Sequence, residues 1–137
     1  MEVVIDSNVF FSALIARDTQ LHLLFNQQLS VFAPEVFRTE VVNHQDEILA
    51  KSGLSENEFE RLSRKMFLAI QLVPLSDYKA FLPAARKILV GHTKDAEFIA
   101  LCIMKGLKLW TYEKRLLKTD YGISTEGLSK AVKEERP

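Results

Sequence analysis

The chain has 137 residues, 47% hydrophobic and 26% charged, a size at which one core is expected to bury itself without disulfides or a structural metal. Eighteen Lys and Arg balance eighteen Asp and Glu, so no overall positive field marks a nucleic-acid binder and any such contact has to come from a local patch. A lone Cys102, a start (MEVVID) without a basic leader, and no apolar run near the roughly 18 to 20 residues of a membrane span set the expectation: a cytoplasmic protein, one domain over 1–137, no membrane contact.

Residues 2–5 read as a short buried strand, stopped by Asp6-Ser7-Asn8 before an apolar helix over 9–16. Asp18 or Thr19 is placed to cap a second helix carrying Leu21, Leu24, Phe25 and Gln28, and residues 30–33 read as a second strand. Pro34 is expected to open a helix over about 35–50, with Phe37, Val41 and Ile48 on one face and Ser52-Gly53 at its end. Ser55 and Glu58 form a capping-box pattern for a helix reaching about residue 70, with Phe59, Leu62, Met66 and Ile70 along one stripe. Leu72 and Val73 suggest a third strand. Ser76 is expected to cap a helix through Leu89, and the turn Gly91-His92-Thr93 leads to a helix over 95–105 closed by Gly106. Residues 107–111 read as a fourth strand, 114–117 as a helical turn, 121–124 as a fifth strand and 126–133 as a closing helix, with neither repeat nor linker.

Strands alternating with helices predict an α/β fold whose mainly parallel sheet is covered on both faces, and such sheets bind ligands beyond the carboxyl ends of their strands. Asp6 follows strand one and Glu113 lies just past strand four, so two acids reach the same rim. An ionisable group directly after a buried strand is costly unless it binds something or caps the next helix, and Ser7 or Asn8 can do the capping. Glu40 lies beside the apolar stripe of its helix, where the alternative is a boundary residue whose head reaches water. Asp95 begins a helix continuing through Phe98, Ile99 and Cys102; a structural acid in the first turn reads the same way, although Thr93 offers another cap. Glu113 alternatively pairs with Lys114 or Arg115. Carboxylates converging from separate segments repel unless a cation neutralises them, and oxygen ligands without a Cys/His set suit Mg²⁺ or Mn²⁺ rather than zinc.

The segments VVIDSNVF, PEVFRTEVV, HTKDAEFIALCIMKGLKLWT and TYEKRL, in that order and spanning nearly the whole chain, resemble the four acidic motifs of PIN domains. The resemblance implies a three-layer α/β/α sandwich around a sheet of about five strands, metal-dependent hydrolysis of RNA phosphodiester bonds, and frequent service as the toxin of a toxin-antitoxin pair. Matched position by position, Asp6, Glu40 and Asp95 correspond to the first three acids, and Ser7, Asn8 and Thr111 to supporting polar residues. Glu113 stands where a shorter Asp is usual, and Glu97 where a small or apolar residue is common. The partners implied are RNA, a cognate antitoxin protein and a second copy of the chain, with Phe10, Phe11 and the helix over 55–70 considered for the dimer surface.

Lys94, Lys114, Arg115 and Lys118 fall near the acidic rim and are candidates for the RNA backbone, as solvated helix faces equally are. His44 and His92 are weighed as substrate contacts and Cys102 as a core residue. The rival readings are a PIN scaffold that binds without cutting, a magnesium-dependent phosphatase, which would carry a second Asp where this chain has Asn8, and a receiver-like domain using Asp6 and Asp77.

Overall fold

The computed structural model describes residues 1–91 and 93–135, so His92, read from the sequence as part of the turn before Asp95, lies outside the described residues. In chain order the elements are β1 (Glu2–Ile5), α1 (Ser7–Ala16), α2 (Thr19–Leu24), β2 (Ser30–Pro34), α3 (Val36–Ser52), α4 (Glu56–Leu68) and β3 (Ile70–Val73). They continue with α5 (Leu75–Tyr78), α6 (Leu82–Ile88), α7 (Ala96–Lys105), β4 (Leu109–Trp110), α8 (Lys114–Leu117), β5 (Gly122–Ile123) and α9 (Thr125–Glu134). Single 3₁₀ turns at Lys79–Phe81 and Thr93–Asp95 lead into α6 and α7.

The five strands form one sheet in the order β3-β2-β1-β4-β5, and every pairing is parallel. This is the mainly parallel, helix-covered α/β/α arrangement expected from the sequence. A parallel sheet with helices on both faces has no polar side, which is why β1 is an unbroken apolar run whose Val3, Val4 and Ile5 are fully buried. Burying each such side chain contributes about 1.5 to 3 kcal/mol. The chain reverses its direction of progress across the sheet between β1 and β4, so the ligand-binding crevice of this topology opens above their carboxyl ends. Asp6 and Thr111 follow those two ends directly.

Three aromatic rings fix the helices that frame this crevice. Phe10 of α1 meets Phe37 of α3 edge to face at 5.1 Å and Phe67 of α4 at 5.2 Å, and Phe37 and Phe67 close the triangle at 5.6 Å. Edge-to-face rings add about 0.5 to 1.5 kcal/mol beyond area burial and set the approach of α1 to α3. Phe10 is fully buried here, so it presents no surface to a second copy.

Several boundaries differ from the sequence reading. α1 starts at Ser7, which puts Ser7 and Asn8 inside the helix instead of in a capping turn, with Asp6 at the N-cap position. Pro34 ends β2, in register with Val73, instead of opening α3; a strand end tolerates its missing N–H. α4 begins at the expected capping box but stops at Leu68, and Ile70 pairs with Val31 in β3 because β2 needs a neighbour on that side. The continuous helix expected from Ser76 to Leu89 is broken into α5, a 3₁₀ turn and α6. Pro83 donates no N–H and its ring would collide with the Lys79 carbonyl, so it sits in the first turn of α6 instead. Among the described residues no helix is long and apolar enough to cross a membrane.

Candidate functional site

Asp6 leaves β1 with its amide bonded to the Trp110 carbonyl of β4 at 2.9 Å, so the two central strands fix where its side chain starts. That side chain is 5% exposed and does not cap α1. Its Oδ2 instead accepts from the Thr111 hydroxyl at 2.7 Å, and the Thr111 hydroxyl accepts in turn from the Glu113 amide at 3.1 Å. Burial pushes the Asp6 carboxyl up from an ordinary 3.8 to about 6; the Thr111 bond works against this, and the charges of Asp95, Glu113 and Glu40 add to it.

Glu40, half-buried on α3, accepts at Oε2 from the hydroxyl of Ser7 in the first turn of α1. The Phe10–Phe37 contact sits three residues from each partner, so the same packing that joins the helices brings this hydroxyl and carboxylate together. Burial raises the Glu40 carboxyl, Ser7 lowers it, Asp95 raises it, and His44 and Lys94 lower it. Asp95 is 7% exposed at the N-cap position of α7, again without a capping bond. Burial followed by the charge of Glu113 raises its carboxyl, against Lys94 and Arg115.

Glu113 precedes α8. Its Oε1 accepts from the Asn8 amide at 3.3 Å and its Oε2 from Arg115 Nη2 at 2.9 Å. The same Nη2 donates to Asp95 Oδ2 at 3.0 Å, so one guanidinium nitrogen joins the third and fourth acids. Side chain to side chain, the polar residues singled out from the sequence are thus linked as Thr111 with Asp6, Ser7 with Glu40, and Asn8 with Glu113, Arg115 and Asp95, and the Glu113 amide joins the first of these to the last.

In donor chemistry the four acids suit a hard divalent cation: all are carboxylates, all come to one rim, and three of them resist ionisation there. They are not drawn into a closed cage. Among the described residues no three His, Cys, Asp or Glu side chains gather tightly enough to hold one ion. Instead the Thr111 hydroxyl engages Asp6, the Ser7 hydroxyl engages Glu40, and the Arg115 guanidinium joins Asp95 to Glu113.

The remaining candidates divide clearly. Lys94 is exposed and acts electrostatically on both Glu40 and Asp95, while Lys114 and Lys118 are exposed on or beside α8. His44 approaches Glu47 at 3.5 Å and packs near Phe11. A groove of about 390 Å³ between α1 and α3, lined by Phe11, Ser12, His44 and Glu47 among others, reaches the rim at Asn8. Cys102 is fully buried, and burial pushes its thiol up, as fits a core residue.

The sequence reading did not anticipate the role of Glu97. Its carboxylate accepts from the fully buried Tyr78 hydroxyl at 2.6 Å, so an acid at an otherwise apolar position satisfies a buried donor. Tyr78 falls within the segment read as one continuous helix, which hid the pairing. Of the bridge made by Arg115, the pairing with Glu113 two residues away was among the alternatives read from the sequence, whereas the link to Asp95, 20 residues away, was hidden.

Residues 4–135 match a family model described as the PIN domain. The crystal structure of PAE2754 from Pyrobaculum aerophilum is similar in fold, with a TM-score of 0.69 at 18% identity over 98% of this chain and 91% of that one. No curated protein matches the sequence significantly.

Proposed function

The chain belongs to the PIN-domain family, a nuclease-type fold, and from that premise we propose that it is a metal-dependent ribonuclease that hydrolyses RNA phosphodiester bonds. The observation that carries the reading is the convergence of Asp6, Glu40, Asp95 and Glu113, carboxylates from four separate segments, on one rim with Thr111, Ser7 and Arg115 bonded to them. Burial raises the Asp6 carboxyl first and the charges of Asp95, Glu113 and Glu40 add to it, a cost that a shared divalent cation would relieve.

In this reading Asp6, Glu40, Asp95 and Glu113 would hold Mg²⁺ or Mn²⁺. When bound, the ion lowers the pKa of a coordinated water and neutralises charge on the phosphoryl group under attack. Thr111 aims the Asp6 carboxylate and ties it to the Glu113 backbone, and Ser7 aims Glu40. Both hydroxyls fix carboxylate orientation at no charge cost, the service that supporting partners give to metal ligands. Lys94 and Lys114 offer exposed positive charge beside the rim for the RNA backbone, whose phosphates they position without reading sequence. The biological setting that follows from the family resemblance is the toxin of a toxin-antitoxin pair, inhibited by a cognate antitoxin and paired with a second copy.

A second reading, a PIN scaffold that binds RNA or a protein without cutting, draws on the Arg115 bridge. Two acids engaged by one guanidinium form a self-sufficient ion-pair network. Incubating the protein with a pool of structured and single-stranded RNAs in Mg²⁺, Mn²⁺ or EDTA, beside a small phosphomonoester, separates the readings. Metal-dependent RNA cutting with the monoester untouched supports the ribonuclease; intact RNA supports the scaffold, and monoester hydrolysis alone the phosphatase.

A further inference from the structure

We propose that Arg115 is a resident counter-cation: it holds Asp95 and Glu113 together in the metal-free protein and has to leave them when a divalent ion enters, so it lowers the site's metal affinity. The inference rests on the ribonuclease reading and assigns a role that the acids alone do not reveal.

The first support is where the charge sits. Arg115 Nη2 lies 3.0 Å from Asp95 Oδ2 and 2.9 Å from Glu113 Oε2, between two carboxylates from different segments. A single positive centre shared by the third and fourth acids is the electrostatic task a metal ion would perform there. Arg115 and a cation at those oxygens therefore exclude each other.

The second support is the quality of the pose. A guanidinium pairs best with a carboxylate through two parallel donors, but here one nitrogen serves both acids, and Nε is buried without a hydrogen-bond partner. An orphaned buried donor is costly. The side chain therefore adopts this position because the acids need charge, at the expense of its own hydrogen bonding, and a divalent cation that supplies more charge can displace it. The third support is freedom to leave. The Arg115 side chain is 38% exposed, on a four-residue helix at the surface, so it can swing to solvent without opening the core.

The test is calorimetric Mn²⁺ titration of wild type, Arg115→Gln and Arg115→Lys, with melting temperatures in EDTA and at saturating Mn²⁺. Arg115→Gln should bind Mn²⁺ about tenfold more tightly than wild type, because it has no resident ion pair to give up before the metal enters. It should melt lower than wild type in EDTA and recover that difference in Mn²⁺, with Arg115→Lys in between. Arg115→Gln that binds Mn²⁺ no more tightly than wild type overturns the proposal and leaves the ribonuclease reading standing. A stability loss that persists equally in Mn²⁺ does the same, since it marks Arg115 as a purely structural link. Absence of Mn²⁺ binding in wild type and both variants overturns the proposal together with the reading beneath it.

Discussion

The buried hydroxyl of Thr111 donates to Asp6 Oδ2 at 2.7 Å, joining two residues 105 apart in sequence at the ends of adjacent strands, and also accepts from the Glu113 amide. Thr111→Val keeps the shape and removes both bonds, leaving a buried acceptor and a backbone donor unsatisfied. It should cost about 1 to 3 kcal/mol in denaturant unfolding. Because the Thr111 bond lowers the Asp6 carboxyl, the same variant should raise it further, visible by NMR titration of the Asp6 side chain. Thr111→Ser should restore both properties.

Asp6 also sets a pH dependence whose sign is definite. Its folded carboxyl titrates near 6 against an ordinary 3.8, so the folded state holds the proton more tightly than the unfolded chain. The stabilising effect is full below the ordinary value and is lost as pH rises through about 6, leaving a charged buried group that weakens the fold by at most about 3 kcal/mol at neutral pH. In EDTA, Asp6→Asn should therefore melt above wild type at pH 7, with the advantage shrinking as pH falls toward 4. Equal melting at both pH values would mean that Asp6 is not strained.

Gly122 controls the placement of α8 from the other side. A Cβ there would collide with the Leu116 carbonyl and stand 2.6 Å from the Leu117 Cα, both backbone atoms that cannot yield without moving the helix. Gly122→Ala should lose about 1 to 3 kcal/mol, the usual cost of overpacking. Since α8 carries Arg115, the variant should also perturb the Asp95 and Glu113 side-chain resonances, whereas an equally destabilising Leu128→Ala at α9 should not.

Much of this was legible in the sequence because it rests on local rules. The apolar run of β1 ended by Asp6, the capping box at Ser55 and Glu58, and Gly53 and Gly106 at helix ends each carry their own signal, and each is realised. The run of strands and helices was enough to predict a parallel sheet. What was hidden depends on contacts across the chain. Ile70 continues the apolar stripe of α4, yet the open side of β2 draws it into a strand. The segment 76–89 reads as one helix from a cap at Ser76 only when Pro83, which restricts where a helix can start, is left out of account. The acids were visible one by one; the Arg115 link, and Tyr78 as the reason for Glu97, need the fold to bring distant residues together.

Exposed Lys94 and Lys114 yield a prediction about binding. In an Asp6→Asn background that keeps the RNA intact, Lys94→Ala and Lys114→Ala should each weaken RNA binding and reduce the slope of log affinity against log salt by about 0.7 to 0.9, one phosphate contact apiece. An unchanged slope would remove that lysine from the RNA surface.

The central claim is that the rim acids form a metal-dependent RNA-cutting centre, and the most direct measurement is RNA cleavage in Mn²⁺ by wild type, Asp6→Asn and Asp95→Asn, each first shown to be folded by circular dichroism. The account predicts that wild type cuts, that EDTA abolishes cutting, and that both variants fall to background. Cutting that persists in both folded variants, or a folded wild type that leaves every RNA intact in Mn²⁺, would contradict it.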